Sequence, residues 1–400
     1  MKRACWAIYL TAVSVRLLLI FGFHRTDFGR AEPQRIAVSL AATRAFANPY
    51  SVPTGPTAHT GPLFPLLLAP FYYFWGDTRN ADTARVAAGP FVGSIQYALL
   101  PMAADWLGLD PATGWLAGWA GALVPVHHYV ESVNVFEAPL MSLFLILSLR
   151  FLKSPLAPWR EGAFWGVAFL VSPTLLSPAV ALAAWRSRLG WNWKRLGVTA
   201  LSALLVMLPW TLRNHARLGG WYPVRDDLGL ELWASNRDGA FANEIENTRS
   251  AGFLNGHPFS SVATARSVAR TGEAAFEKER MDETRVWILS HPGQFLRLTV
   301  KRAFLFWFPW LEWKPLEYLL RLVTLAAFGG LALAWHENRL AAAPITAMWV
   351  SFPLVHYAIE SYFRYQHPLW WSLVLMASYA AVRAISFLRS SRKPLPAQSR

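Results

Sequence analysis

The chain has 400 residues, of which 54% are hydrophobic and only 16% are charged. The hydrophobic residues collect into long runs, such as 196–208 and 369–381, that approach the roughly 30 Å thickness of a bilayer core and exclude an ordinary soluble protein. The formal net charge is +14, but the basic residues cluster beside these runs, so they indicate membrane topology and argue against nucleic-acid binding.

The first predicted span covers residues 5–22 and leaves the cytoplasm, because Lys2 and Arg3 precede it. This apolar run lacks a small-residue cleavage site, so no cleavable signal peptide is expected. Residues 23–61 then form a first outer loop. Within it, Pro33 predicts the start of a short surface helix with Glu32 at the positive end of its dipole.

The apolar segments of the middle of the chain differ in length and in proline content. Residues 62–75 are too short to span a bilayer and contain three prolines, so they predict an interfacial or re-entrant helix. Glycine and proline interrupt residues 162–185, which predicts a pair of short antiparallel helices. The single crossings predicted in this part of the chain are 85–106, 112–126, 138–152 and 196–210.

Residues 211–302 form one long outer loop with 13 Lys and Arg against 11 Asp and Glu. Its end, 291–307, alternates basic and apolar residues at helical spacing and predicts a surface helix. The last predicted crossings are 316–335, 341–355 and 369–387. The sequence therefore predicts an all-α polytopic membrane protein with about ten transmembrane helices, periplasmic surface helices, one long periplasmic loop and cytoplasmic termini. Its three parts are 1–212 (multi-span module), 213–302 (periplasmic loop) and 303–400 (C-terminal spans and tail).

Acidic residues on the outer side are candidates for acid–base chemistry. Asp27 and Glu32 lie in the first outer loop, and Glu131 and Glu137 lie near the mouth of the second. A carboxylate held at the membrane surface suits a general base that takes a proton from an acceptor hydroxyl. Two structural alternatives stay open, namely that Glu32 only caps its helix and that Glu137 is only a solvated helix start.

Basic residues near the outer face are candidates for phosphate binding. Arg213, Lys301 and Arg302 bracket the long loop, and Arg364 precedes the last span. Guanidinium and ammonium groups bind phosphate by bidentate hydrogen bonding or as point charges. The alternatives are snorkelling to the lipid headgroups for Lys301 and Arg302, and for Arg364 an ion pair with Glu360 at helical spacing.

Soluble-enzyme motifs do not assign a function to this chain, because a P-loop, a zinc-type Cys/His spacing and a GxSxG motif do not occur in the sequence. His127 and Glu131 are four residues apart and can share a helix face as metal ligands, but a third ligand would have to come from elsewhere. No metal site is predicted, and the assistance of a divalent ion stays open.

Four stretches carry a family resemblance, in this order along the chain: EPQRIAVSLAATRAFANPYSVPTGPTAHTGPLFPLLLAPFYYFWG, VPVHHYVESVNVFEAPLMSLFL, PWTLRNHARLGGWYPVRDDLGLELWASN and SYFRYQHPLWWSLVLMASYA. Together they resemble the GT-C class of integral-membrane glycosyltransferases, which includes the protein O-mannosyltransferases and the lipid A aminoarabinose transferase. The resemblance implies a sugar donor linked to polyprenyl phosphate, a glycan, lipid or protein acceptor, and a reaction at the periplasmic face of a bacterial inner membrane.

The same resemblance implies roles for individual residues. It assigns the active-site carboxylate of the first outer loop to Glu32, with Asp27 as the alternative, and the second acidic position to Glu137. Arg213 and Arg364 match arginines of the family. Two other functions stay open: a polysaccharide polymerase or ligase, which would share the lipid-phosphate chemistry, and a transporter or flippase of lipid-linked sugars, which predicts inverted repeats and ionisable residues at mid-bilayer.

Overall fold

The computed structural model describes residues 2–23, 29–133, 137–187 and 193–391, and over these ranges its regular structure is helical. The first ten helices are α1 (Lys2–Gly22), α2 (Glu32–Thr43), α3 (Leu63–Trp75), α4 (Arg79–Gly93), α5 (Ile95–Trp106), α6 (Pro111–Leu123), α7 (His128–Val133), α8 (Glu137–Lys153), α9 (Pro158–Val171) and α10 (Leu176–Ser187). The others are α11 (Trp193–Leu218), α12 (Leu228–Ser235), α13 (Glu244–Thr248), α14 (Ala251–Gly256), α15 (Val262–Thr271), α16 (Glu273–Ser290), α17 (Pro292–Trp307), α18 (Lys314–Glu337), α19 (Arg339–Ser351), α20 (Leu354–Ala358) and α21 (His367–Ser391). Short 3-10 turns occupy Pro173–Leu175 and Phe363–Gln366.

Six helical stretches among the described residues are long and apolar enough to cross a membrane: Arg3–Gly22, Arg79–Trp106, Trp193–Leu218, Lys314–Glu337, Arg339–Ala358 and Phe363–Arg389. This is consistent with an all-α membrane protein. The predicted count of about ten crossings is not confirmed. Helices α6 and α8 cover two of the predicted crossings but have only 13 and 17 residues, fewer than the roughly 20 that a spanning helix needs.

The first outer loop folds as its prolines and glycines predict. Helix α2 begins at Glu32 with Pro33 in its first turn and ends before Arg44, whose φ of 58° stops the helix, so the predicted surface helix is confirmed as a helix. The proline-rich residues 48–62 are not helical, and α3 follows as a short apolar helix of 13 residues. Helices α2 and α3 pack together around Ala37, Phe64 and Leu68.

The long segment 211–302 is itself built of helices, from the end of α11 to α17, and the helix predicted over 291–307 is confirmed as α17. Helices α12, α15 and α16 enclose a small apolar core of Leu230, Ala265, Val268 and Phe276. Tyr50 of the first outer loop is also buried in this core. The first outer loop and the long segment are therefore packed as one unit.

Small residues allow the helices of the main core to approach closely. On α6, Gly114, Gly118 and Gly121 face α5 and α1, and a Cβ atom at Gly114 would lie 2.7 Å from the Cα atom of Pro101. Such small-residue faces are typical of helix packing in membranes, where lipid tails compete equally for apolar side chains. A larger side chain at these positions would separate α6 from α5.

Candidate active site

Six charged residues from separate segments converge between the first outer loop, the long segment and the start of α21. We call this group the charged cleft; its members are Glu32 of α2, Glu137 of α8, Arg225, Glu231 of α12, Glu244 of α13 and Arg364. A nitrogen of Arg364 lies 3.2 Å from a carboxylate oxygen of Glu244. A nitrogen of Arg225 lies 4.0 Å from a carboxylate oxygen of Glu137.

Each of the two arginines also acts on carboxyl groups beyond its own ion-pair partner. Burial raises the pKa of Glu137, and the charges of Arg225 and Arg364 oppose that rise. Burial likewise raises the pKa of Glu231, again opposed by Arg225 and Arg364. The six groups therefore lie close enough to form one electrostatic site.

The charged cleft is open to solvent although protein surrounds it. The exposed fraction of the side chain is 24% for both Arg225 and Glu137, 36% for Arg364 and 17% for Glu244. Glu32 and Glu231 are also half-buried. Charged groups that are desolvated on most sides yet accessible on one side suit the binding of a polar ligand.

Glu32 has the properties of a base near neutral pH. Burial raises its pKa to about 7, although its own backbone N–H lowers it, and the nearby charge of Glu231 raises it further. The structural alternative, that this carboxylate only caps α2, stays open, because it accepts a hydrogen bond from its own backbone N–H in the first turn. The side chain of Gln34 accepts a further hydrogen bond at this helix start, from the backbone N–H of Ala31 at 3.1 Å.

Arg225 also lies at the end of an apolar groove of about 1010 Å³. Helices α8, α9, α10 and α11 form the groove, whose wall along α11 runs from Trp193 to Met207. At a helical rise of roughly 1.5 Å per residue, this wall is about 21 Å long. Three apolar residues that line the groove, Leu176, Val180 and Leu204, are themselves more than half exposed, so the groove opens to the side.

The far end of the groove is polar. Glu161 accepts hydrogen bonds from Arg186 and Arg195, and Glu161 and Arg186 line the groove. The groove is therefore an apolar channel between two charged ends, with the charged cleft at one of them.

The structure places the other predicted site residues outside the charged cleft. Arg213 donates to the backbone oxygens of Thr57 at 2.6 Å and Phe46 at 2.7 Å, and so holds the first outer loop. Arg302 is fully buried and donates to Asn236, at 2.9 Å, and to the backbone oxygens of Ser235 and Ala358. Its neighbour Lys301 is exposed on α17. The predicted phosphate contact needs an accessible cation, which Arg302 does not provide, and Asp27 lies outside the described residues.

Glu131 belongs to the interior of the helix bundle. It pairs with Arg16 of α1, and both side chains are almost completely buried. Tyr97 also donates a hydrogen bond to it at 2.8 Å. Burial by itself would raise the pKa of Glu131, but Arg16 and His367 more than reverse this and lower it. Glu131 is thus an internal anion that anchors α7 to α1 and α5, and it is too deeply buried to act on a substrate.

The sequence suggested two further contacts, which the structure replaces with others. Arg364 pairs with Glu244, while Glu360 accepts a hydrogen bond from Asn247, so the alternative of a Glu360–Arg364 ion pair is wrong. His127 packs its ring against Trp370 and His367, and neither ring nitrogen has a hydrogen-bond partner within the described part of the chain. Among the described residues, no group of three His, Cys, Asp or Glu side chains is arranged to hold a metal ion.

Sequence reasoning missed three members of the charged cleft, namely Arg225, Glu231 and Glu244. All three lie in a segment with 24 charged residues, 13 basic and 11 acidic, and the sequence does not distinguish those that turn inwards. The one local signal is that Arg225 precedes the apolar α12 and Glu231 lies within it, in the stretch PVRDDLGLELW.

Comparison of this chain with protein-family models and with curated proteins gives no significant match.

Proposed function

We propose that this protein is a membrane glycosyltransferase that moves a sugar from a polyprenyl-phosphate-linked donor to an acceptor at the periplasmic face of a bacterial inner membrane. One observation carries the proposal: an apolar groove that opens to the side ends at Arg225, inside a cleft of charged residues. A lipid phosphate has the matching shape, with a long apolar chain and one anionic end.

The isoprenoid chain of the donor occupies the groove along α11, and its phosphate binds Arg225 and Arg364. Guanidinium groups bind phosphate with paired hydrogen bonds, which fixes the orientation of the sugar as well as its position. The sugar then lies over the carboxylates of the charged cleft. A soluble nucleotide-binding fold is not required, since the lipid carrier delivers the sugar within the plane of the membrane.

Glu32 acts as the base of a single displacement. It takes the proton of the acceptor hydroxyl while the acceptor oxygen forms a bond to the anomeric carbon of the sugar. The bond between that carbon and the phosphate oxygen breaks, and the electron pair leaves with the polyprenyl phosphate. Arg225 and Arg364 stabilise the charge that develops there, which is where fixed cations contribute most. Attack opposite to the leaving group inverts the anomeric configuration.

The test is transfer of a labelled sugar from a synthetic polyprenyl-phosphate donor by the purified full-length protein in liposomes, with bacterial membrane extract as the source of acceptors. Glu32→Gln should abolish transfer, because the amide cannot take a proton. Glu246→Gln, on the exposed side of α13, is the matched control and should transfer as the wild type does. Equal transfer by Glu32→Gln and the wild type would contradict the assignment of Glu32 as the base.

The orientation of the cleft can be tested separately. Cys5 is the single cysteine, so its replacement by Ser leaves a background without thiols. A cysteine introduced at the exposed Glu246 should then react with a membrane-impermeant maleimide from the periplasmic side of the inner membrane. Reaction from the cytoplasmic side alone would contradict the proposed location.

A transporter of lipid-linked sugars is the second candidate, favoured by one observation. Arg16 and Glu131 form a buried ion pair inside the bundle, and ionisable groups at such positions mark transport pathways in many membrane proteins. A transporter would move a fluorescent polyprenyl-phosphate sugar across the bilayer of liposomes without cleaving it. Cleavage of the donor without movement across the bilayer favours the glycosyltransferase.

A further inference from the structure

The segment between α2 and α3 is held in place by side chains from elsewhere in the chain. The backbone N–H of Ala58 donates to the carboxylate of Glu273 at 2.6 Å. The backbone oxygen of Ala58 accepts from the backbone N–H of Asp226 at 3.1 Å. Together with the two bonds that Arg213 donates to Phe46 and Thr57, these contacts attach residues 46–58 to the long segment.

Two of these contacts come from Asp226 and Glu273, whose carboxyl groups are both buried beside Ala58. Glu273 contacts Ala58 through its carboxylate and Asp226 through its backbone N–H, and Asp226 and Glu273 are only 6% and 4% exposed. Neither carboxylate oxygen of Asp226 accepts an N–H or O–H from another described residue. Two ionised carboxylates repel each other strongly in such a setting, and a hydrogen bond between them needs a proton on one of them. The second carboxylate oxygen of Glu273 is likewise buried without a hydrogen-bond partner among the described residues, so one proton held between the two carboxyl groups would pair these oxygens.

The groups around the pair favour retention of that proton. Burial raises the pKa of Asp226 to about 6 and raises that of Glu273 well above its usual range. Arg213 and Arg225 oppose these shifts but do not reverse them. The remaining titratable groups that face the pair are Tyr50 of the first outer loop, Tyr222 before α12 and Glu277 of α16.

The position of this pair matters because the charged cleft has two sides. Glu32 comes from α2, whereas Arg225 and Glu231 come from the long segment. The contact of the pair with Ala58 joins the segment that follows α2 to the segment that carries Arg225. An opening at Ala58 therefore removes one of the attachments between the two sides of the cleft.

We propose that Asp226 and Glu273 share one proton and act as positioning residues, a clamp that holds Glu32 opposite Arg225 and opens when the proton is lost. The inference rests on the proposed function, since it assigns a regulation to that site. As pH rises, the pair loses its proton, the two carboxylates repel each other, and the contact with Ala58 is weakened. Transfer then falls on the alkaline side by about tenfold per pH unit, as expected for the loss of one required proton.

Amide variants test the clamp, because an amide supplies a permanent N–H in place of the shared proton. Glu273→Gln keeps an oxygen for the N–H of Ala58 and donates to the carboxylate of Asp226, and Asp226→Asn does the converse. Both should retain transfer at pH 7 and should lose its decline at high pH. Glu273→Ala, which removes the contact with Ala58, should lose transfer at every pH.

Hydrogen exchange of the full-length protein in nanodiscs gives a readout that does not depend on activity. Peptides that cover residues 46–58 should be protected in the wild type at pH 7 and lose protection at pH 9, whereas Glu273→Gln and Asp226→Asn should stay protected at both. Comparison at equal pH removes the intrinsic exchange rate. Glu277→Gln is the matched control: its buried carboxylate accepts from Leu230 rather than from this segment, so the loss at pH 9 should persist.

The outcomes separate the clamp from the proposed function. The clamp is overturned if, at pH 9, peptides 46–58 exchange equally fast in the wild type and in either amide variant. It is also overturned if both amide variants lose protection of these peptides at pH 7. If exchange follows the prediction but no donor is cleaved by any variant, the clamp stands and the proposed function fails.

Discussion

Replacement of Arg225 by Ala tests the meeting point of the groove and the charged cleft. In the proposed step, the guanidinium of Arg225 faces a phosphate whose charge grows as the sugar leaves. Removal of one preorganised donor of this kind typically lowers kcat by about 10²–10³-fold, equivalent to about 2.7–4 kcal/mol. Arg225 also donates two hydrogen bonds to the nearly buried carboxylate of Asp227 and lies 4.0 Å from Glu137. Its removal leaves Asp227 without this partner, and thermal unfolding measures that loss of stability separately from the loss in kcat. The expected loss in kcat is the one given above for removal of a preorganised donor to the leaving phosphate.

The assay is steady-state transfer by purified Arg225→Ala, Arg225→Lys and Arg249→Ala proteins, with thermal unfolding of each measured in the same detergent. Arg225→Lys keeps the charge but loses the paired donors, so its loss in kcat should be smaller. Arg249 pairs with Glu312 at 3.0 Å on the surface, where both side chains are more than 60% exposed, and its replacement should leave kcat unchanged. If Arg225→Ala raised KM alone, Arg225 would bind the donor without stabilising the leaving phosphate, and the proposed mechanism would be refuted.

Three further experiments test the groove, the pKa of Glu32 and the buried Arg16–Glu131 pair. Ala200→Trp should fill the groove and weaken transfer at least tenfold, whereas Leu201→Trp on the neighbouring exposed face should not; equal rates for the two variants would contradict a lipid in the groove. Because burial raises the pKa of Glu32 to about 7, transfer should increase with pH up to about 7 and then level off before any alkaline decline, and a profile that is flat from pH 5 to 7 would exclude Glu32 as the base. Glu131→Ala leaves Arg16 buried without its partner and should destabilise the protein by about 3–5 kcal/mol, seen as a lowered Tm; an unchanged Tm would contradict the structural role of this pair.

Local rules predict the secondary structure around the site better than they predict the span count. Pro33 and Glu32 mark the start of α2 because proline fits the first turn of a helix and a carboxylate suits its positive end. Apolar composition, however, does not reveal helix length. Helices α6 and α8 are apolar but short, because a helix packed inside a bundle needs no hydrophobic length to match the bilayer.

The charged cleft is predictable only in part. Glu32, Glu137 and Arg364 belong to stretches that the sequence singles out, whereas Arg225 and Glu244 reach the cleft through the tertiary fold of the long segment. Lys301 and Arg302 show most clearly what the sequence alone does not predict, since they are adjacent in sequence and both basic. Successive residues on a helix point about 100° apart, so α17 exposes one and buries the other against α20.

In the proposed function, a lipid phosphate lies with its chain in the groove and its charged end at Arg225. Photocrosslinking tests it directly, with a polyprenyl phosphate that carries a diazirine in its isoprenoid chain and the purified protein in nanodiscs. We expect labelled peptides from α10 and α11, with labelling that saturates and is lost in Ala200→Trp. Labelling that did not saturate and that fell equally on the exposed face of α18, around Tyr318 and Leu322, would contradict it.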